Sequence, residues 1–171
     1  YGSSAASDVY KRQVMKSMTV SENIQLATDK IRENSLNFFS TFTNKNYVLD
    51  KIDFCLGQVG LIEANNQPVA SLSHGDCRKL EIAMALASDA KLLLLDEPMA
   101  GLGPSETQEM ISLLNKLKGK QTILLVEHDM DAVFALADRI SVLVSGEIIA
   151  TGEPDNIRRD SKVQKAYLGE A

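Results

Sequence analysis

Four consecutive leucines running into two carboxylates, Leu92-Leu93-Leu94-Leu95-Asp96-Glu97, constrain this chain more than any other segment. An unbroken apolar run of that length suits a strand covered on both faces, the habit of parallel sheets. Open α/β sheets bind ligands beyond the carboxyl ends of their strands. Asp96 and Glu97 therefore fall where a ligand crevice opens. There Asp96 suits a divalent cation and Glu97 suits an attacking water, because phosphoryl transfer depends on positioning rather than on covalent help from the protein. By itself the run reads equally as a core strand ending in a polar turn.

Upstream, Leu72-Ser73-His74-Gly75-Asp76 precedes a segment in which Leu80, Ile82, Ala83, Leu86 and Ala87 recur at helical spacing. A small-residue turn at a helix start presents backbone N–H groups and the positive end of the dipole, which suits a phosphate. Ser73 as a plain N-cap and Gly75 as a plain turn residue would produce the same spacing. Downstream, His128 follows the apolar segment Thr122 to Val126 and Glu127. A neutral imidazole carries one donor and one acceptor nitrogen. A strand-end histidine bonded to its own turn is the plainer alternative.

In this order the segments resemble those of ATP-binding cassette (ABC) ATPases. Leu72 to Asp76 is similar to the signature loop, Leu92 to Glu97 to the Walker B strand, Ala100-Gly101-Leu102-Gly103-Pro104 to the D-loop, and His128 to the switch histidine. His74 replaces a glycine of the signature and Asp76 a glutamine, and the His74 side chain adds bulk where glycine would let the turn approach a phosphate. Leu80-Glu81-Ile82-Ala83, Glu127-His128-Asp129-Met130 and Ala166-Tyr167-Leu168-Gly169-Glu170 extend the match. Together with the D-loop they resemble the ATPase subunits of high-affinity branched-chain amino acid importers, from about Met18 to the end. Urea importers and lipopolysaccharide exporters share much of that tail.

The resemblance implies an α/β fold of the P-loop NTPase type, of which this chain carries the carboxyl-terminal portion: a helical subdomain and part of the parallel core sheet. It divides the chain into a helical region at 14–72, the signature helix, Walker B, D-loop and switch region at 73–152, and a helical tail at 153–171. It implies ATP and Mg²⁺ as cofactors, Asp96 on the metal, and Glu97 and His128 in catalysis. Ser73, His74, Gly75 and Asp76 would meet ATP held by a partner subunit, and Gly101 would lie in the D-loop. The implied partners are a second ABC ATPase subunit, identical or not, membrane permease subunits and, indirectly, a periplasmic binding protein. The implied location is the cytoplasmic face of the plasma membrane, held there by the permease.

A phosphate-binding loop of the form Gly-x-x-x-x-Gly-Lys-Ser/Thr does not occur in these 171 residues. The single Gly-Lys pair, Gly119-Lys120, is followed by Gln121 at an expected helix end. Gln13 is out of register for the Q-loop glutamine and is not assigned that role. The chain alone is therefore expected to bind Mg-ATP poorly and not to hydrolyse it. Ala6 to Gln13 reads as a translated sequencing-adapter end, so Tyr1 to Gln13 are set aside and natural sequence is expected from about Val14, already inside a domain.

Composition narrows the partners. A net charge of −5, from 18 basic and 23 acidic residues, leaves no electrostatic footprint for nucleic acid or an anionic membrane. That argues against the ABC-type modules of translation and DNA repair. A regulatory half-cassette that dimerises without turnover is a further alternative. The longest apolar runs, Ile82 to Ala87 and Ala132 to Ala137, fall far short of the roughly twenty residues a membrane helix needs. Cys55 and Cys77 are far apart and form no Cys-x-x-Cys pair, so neither a zinc site nor a disulfide framework is expected, and a reducing cytoplasm suits them.

Thr19-Val20-Ser21-Glu22 has capping-box spacing and predicts a helix start, with Ile24, Leu26, Ala27 and Ile31 on its apolar face. A second helix is expected over Lys45 to Val59 with Leu49, Ile52, Phe54 and Leu56, and Phe38, Phe39 and Phe42 read as core packing. Ser105 to Gln108 reads as another capping box, followed by the stripe Met110, Ile111, Leu113, Leu114 and Leu117 and a stop at Gly119. Thr122 to Val126 reads as a buried strand, Asp129 as the cap of a helix to Ala137, and Ile140 to Ala150 as a hairpin.

Overall fold

The computed structural model describes residues 14–33 and 45–168. Phe38, Phe39, Phe42, residues 1–13 and the last residues of the tail lie outside the described residues. The chain divides into two units between Leu93 and Leu94.

The first unit is helical: α1 (Val20–Glu33), α2 (Lys45–Val59) and α3 (His74–Ala87), with short 3₁₀ turns at Ile62–Ala64 and Val69–Ser71. The capping box forms as expected, Glu22 Oε2 accepting the Thr19 N–H at 2.7 Å and Thr19 Oγ1 accepting the Glu22 N–H at 3.3 Å. Buried Asn23 then secures the entry to α1. Its amide nitrogen donates to the Met15 and Thr19 carbonyls and its Oδ1 accepts the Met15 N–H. The three helices pack on one another. Val20, Ile24, Ile52, Leu56, Leu80 and Ala83 form part of the core, each large apolar side chain contributing about 1.5–3 kcal/mol of burial.

Three apolar residues expected inside face out instead. Leu49 and Phe54 of α2 are exposed, and Val48, Cys55 and Val59 take the core positions beside Ile52 and Leu56. Positions 48, 52, 55, 56 and 59 follow the i, i+4, i+7, i+8 stripe, which 49 and 54 do not share. Leu26 of α1 is likewise exposed.

Strand β1 (Leu92–Asp96) pairs with β2 (Thr122–Val126) in a two-stranded sheet, with α4 (Pro104–Leu117) as the intervening crossover of a βαβ unit. Met110, Leu113, Leu114 and Leu117 bury the α4 stripe, and Gly119 ends it at φ +80°. The helix start differs from expectation. Gly103 is the N-cap, Pro104 opens the first turn, and Glu106 rather than Gln108 accepts the cap N–H, at 3.1 Å. Proline's fixed φ and missing N–H pre-organise a helix at that position.

The burial expected of Thr122 to Val126 is also not found. Leu124 and Val126 are 57% and 56% exposed, and Leu92 and Leu94 of β1 are each 49% exposed, while Leu93 is buried. Side chains alternate across a strand, and among the described residues one face of this sheet is partly covered, with Leu93 buried and Leu95, Ile123 and Leu125 half-buried, while the other is open.

Helix α5 (Met130–Leu136) is capped by Asp129, whose Oδ1 accepts the N–H groups of Asp131 and Ala132. Strands β3 (Ile140–Val144) and β4 (Glu147–Gly152) make an antiparallel hairpin with an irregularity after Val142. Its turn, Ser145-Gly146, has φ +50° and +86°, the handedness that two-residue hairpin loops require. Helices α6 (Pro154–Arg159) and α7 (Ser161–Val163) follow, and Ile157 and Val163 join Ile140 and Val142 in a small core. Arg158 lies over the Phe134 ring at 4.4 Å.

Candidate functional site

The carboxylates of the leucine run sit where β1 stops. The Glu97 N–H donates to the Val126 carbonyl at 2.9 Å, carrying strand pairing one residue past β1. The chain then turns sharply: Glu97 adopts φ +46°, a conformation costly for a residue with a Cβ. The Ala100 N–H closes a turn onto the Glu97 carbonyl at 3.0 Å, and the Leu102 N–H closes a second onto Met99 at 3.1 Å. Gly101, at φ +78°, supplies the left-handed residue that two successive tight turns demand.

His128 stands at the matching end of β2. Its Nδ1 lies 3.4 Å from Glu97 Oε1 and 4.0 Å from Glu127 Oε2. Glu97 and His128 are both more than half exposed at their side chains, and Asp96 is exposed beside them in sequence. The second unit therefore brings Glu97 and His128 together, with Asp96 and Gly101 on the same strand and the loop that follows it. An imidazole and a carboxylate this close, both open to solvent, place donor and acceptor groups where a water can be held.

Sequence reasoning passed over the side chain of Glu127. It is 1% exposed, and its two oxygens accept the Met99 N–H at 2.9 Å and the His128 N–H at 3.1 Å. An acidic residue at a strand end reads as a solvated position. The missing signal was Met99, whose amide nothing in the linear pattern places near residue 127.

The Ser73-to-Asp76 turn belongs to the first unit. Ser73 is the N-cap of α3, and its Oγ accepts the Asp76 N–H at 3.0 Å. The Ser73 carbonyl accepts the Cys77 N–H at 3.0 Å as the first helical bond. Ser73 and His74 are exposed and Gly75 is buried, so the opening turn presents its outer side at the positive end of a 14-residue helix. Asp76 is drawn along its own helix by Lys79, Nζ to Oδ1 at 3.3 Å. Burial, and next the charge of Glu81, raises the thiol pKa of Cys77 beside this turn.

No group of three or more metal-ligating side chains occurs among the described residues. Mg²⁺ does not need one, since it keeps several waters and is bound through one or two carboxylates plus substrate phosphates. The exposed strand-end carboxylate of Asp96 fits that donor set. Among the described residues no helix is long and apolar enough to cross a membrane.

A family model described as ABC transporter matches residues 5–100, more than half of the chain, and one described as branched-chain amino acid ATP-binding cassette transporter matches residues 147–171. The high-affinity branched-chain amino acid transport ATP-binding protein LivG of Escherichia coli K12 is 38% identical over 167 residues, covering 93% of this chain and 65% of that protein. Its counterpart BraF of Pseudomonas aeruginosa is 37% identical over 166 residues with the same coverage. The chain thus spans slightly less than two thirds of the length of these relatives. Among solved structures, an ATP-binding cassette of an ABC transporter in its ADP conformation matches with a TM-score of 0.70 at 30% identity, over 91% of this chain and 64% of that one. CbiO1 of Clostridium perfringens, part of an ABC transporter complex, matches with a TM-score of 0.74 at 25% identity, over 90% and 58%. With the family model on more than half of its residues and solved cassettes on nine tenths of them, this α/β chain belongs to the ABC transporter family of ATP-binding cassettes.

Proposed function

We propose that the chain is the carboxyl-terminal part of an ATP-hydrolysing subunit that drives uptake of branched-chain amino acids. The observation that carries the hydrolytic half of this reading is the 3.4 Å approach of His128 Nδ1 to Glu97 Oε1 at the ends of adjacent strands. The solute rests on the names of LivG and BraF and on the match of residues 147–171. In this reading Glu97 takes the proton of the attacking water, and His128 orients that carboxylate and senses the γ-phosphate. Asp96 holds Mg²⁺, which when bound neutralises charge on the phosphate oxygens. Gly101 lets the D-loop make its two turns.

Ser73, His74, Gly75 and Asp76 act on a different ATP, the one held by the phosphate-binding loop of a second ABC ATPase subunit. The α3 N-terminus supplies N–H groups and the positive end of its dipole to that phosphate. Closure and reopening of such a pair would be relayed to membrane permease subunits, fed in turn by a periplasmic binding protein. The subunit would then work at the cytoplasmic face of the membrane without crossing it.

The test is a complete cassette made by placing residues 14–171 behind a segment that carries a phosphate-binding loop of the form Gly-x-x-x-x-Gly-Lys-Ser/Thr. Steady ATP turnover is expected, with a loss of about 100-fold or more in Glu97→Gln and retained nucleotide binding. Turnover that is indifferent to Glu97→Gln would reject the assignment.

A further inference from the structure

One buried carboxylate has no part in the reading above. The Glu127 side chain, 1% exposed, spends its two oxygens on two backbone amides from different segments: Oε1 on Met99, in the turn that follows β1, and Oε2 on His128, the first residue past Glu127. Buried polar groups must find partners, and a charged acceptor makes the stronger kind of hydrogen bond. The Met99 amide needs one from outside its own turn. Pro98 precedes it without an N–H, and the turn spends its closing bond on the Ala100 N–H instead. Next to these two bonds the Glu97 N–H donates to the Val126 carbonyl, one residue past the β1–β2 ladder.

We propose that Glu127 is a positioning residue, a carboxylate clasp that fixes the Met99 turn against the His128 backbone and so sets the separation of Glu97 and His128. Met99 lies two residues beyond Glu97, and Met99, itself buried, anchors the left-handed turn that aims the Glu97 side chain. A carboxylate suits the task because both of its oxygens accept and neither donates. A carboxamide keeps one acceptor and turns a donor on the other N–H, so the Glu127→Gln variant can hold one amide but not both. The clasp is a matter of backbone geometry; its service to hydrolysis rests on the proposed function.

The experiment is amide hydrogen exchange by NMR on the nitrogen-15-labelled chain, with Glu127→Gln and Glu127→Ala, alongside thermal melts. In the unaltered chain the Met99 and His128 amides should be protected despite lying outside regular structure. Glu127→Ala should speed exchange at both by at least about tenfold, and Glu127→Gln should restore one of the two. A merely structural role would lower the melting temperature and speed exchange equally at core amides of α4 and at these two, an outcome that overturns the clasp, whereas loss of the clasp acts on Met99 and His128 selectively. Loop-rate exchange of Met99 in the unaltered chain overturns the proposal even if Glu127→Ala fails to fold, as does unchanged protection of both amides in folded Glu127→Gln. No nucleotide enters this measurement, so the clasp and the ATPase reading fail separately.

Discussion

Glu97 and His128 meet across the ends of two adjacent strands, imidazole Nδ1 facing carboxylate Oε1 at 3.4 Å. Neither side chain is buried against the rest of the unit, so the pair adds little to stability; exposed ion pairs contribute about 0–1 kcal/mol. Its consequence lies in chemistry. In a complete cassette, His128→Ala should lower turnover by about 100-fold or more and shift the melting temperature little. A large loss of stability with proportionate loss of turnover would assign His128 to the fold instead.

Ser73 carries a cap whatever else it does. Its Oγ accepts the Asp76 N–H at 3.0 Å, so Ser73→Ala should cost the folded chain about 1 kcal/mol, and Ser73→Gly only a few tenths. Urea unfolding of both variants checks this. Equal midpoints for all three chains would mean that the cap is not formed in solution.

Much of the fold was legible in the sequence because local chemistry decided it. Ser73, Asp129, the Thr19–Glu22 box and the Ser145-Gly146 turn each satisfy their own backbone. The errors came where two local signals competed or where burial depends on distant chain. Pro104 overrode the serine-led box at Ser105 and moved the cap to Gly103. Leu92, Leu94, Leu124 and Val126 have the composition of a two-faced buried strand, yet burial on a face needs a covering layer that no strand specifies by itself. At the site, motif order singled out Asp96, Glu97 and His128, and the structure brings Glu97 and His128 within 3.4 Å of each other. Glu127 was missed because its partner lies 28 residues away.

The entry to α1 should respond to acid. Backbone and side-chain hydrogen bonds from Thr19 lower the pKa of Glu22 from its ordinary carboxylate value. A lowered folded-state value means that the stabilisation is fully present above the unfolded pKa and is lost as pH falls through the folded one. Helical circular dichroism and melting temperature should therefore drop below about pH 4.3, the unperturbed glutamate value, and part of that drop should vanish in Glu22→Gln, which lacks the titrating group. An identical acid profile for the variant would show that the box does not form in solution.

The two cysteines should separate by reactivity. Cys55 sits 1% exposed in the helical core, and burial pushes its thiol up to about 11. At pH 8 about one part in a thousand would be thiolate, the form that attacks disulfide reagents, and access is closed as well. Cys77 is only partly buried, and its thiol is raised for the same leading reason. A chromogenic disulfide reagent at pH 8 should therefore titrate one thiol in the native chain and a second only after denaturant is added, with Cys77→Ser abolishing the native reaction. Two thiols reacting together without denaturant would mean that α2 leaves the core on the timescale of labelling.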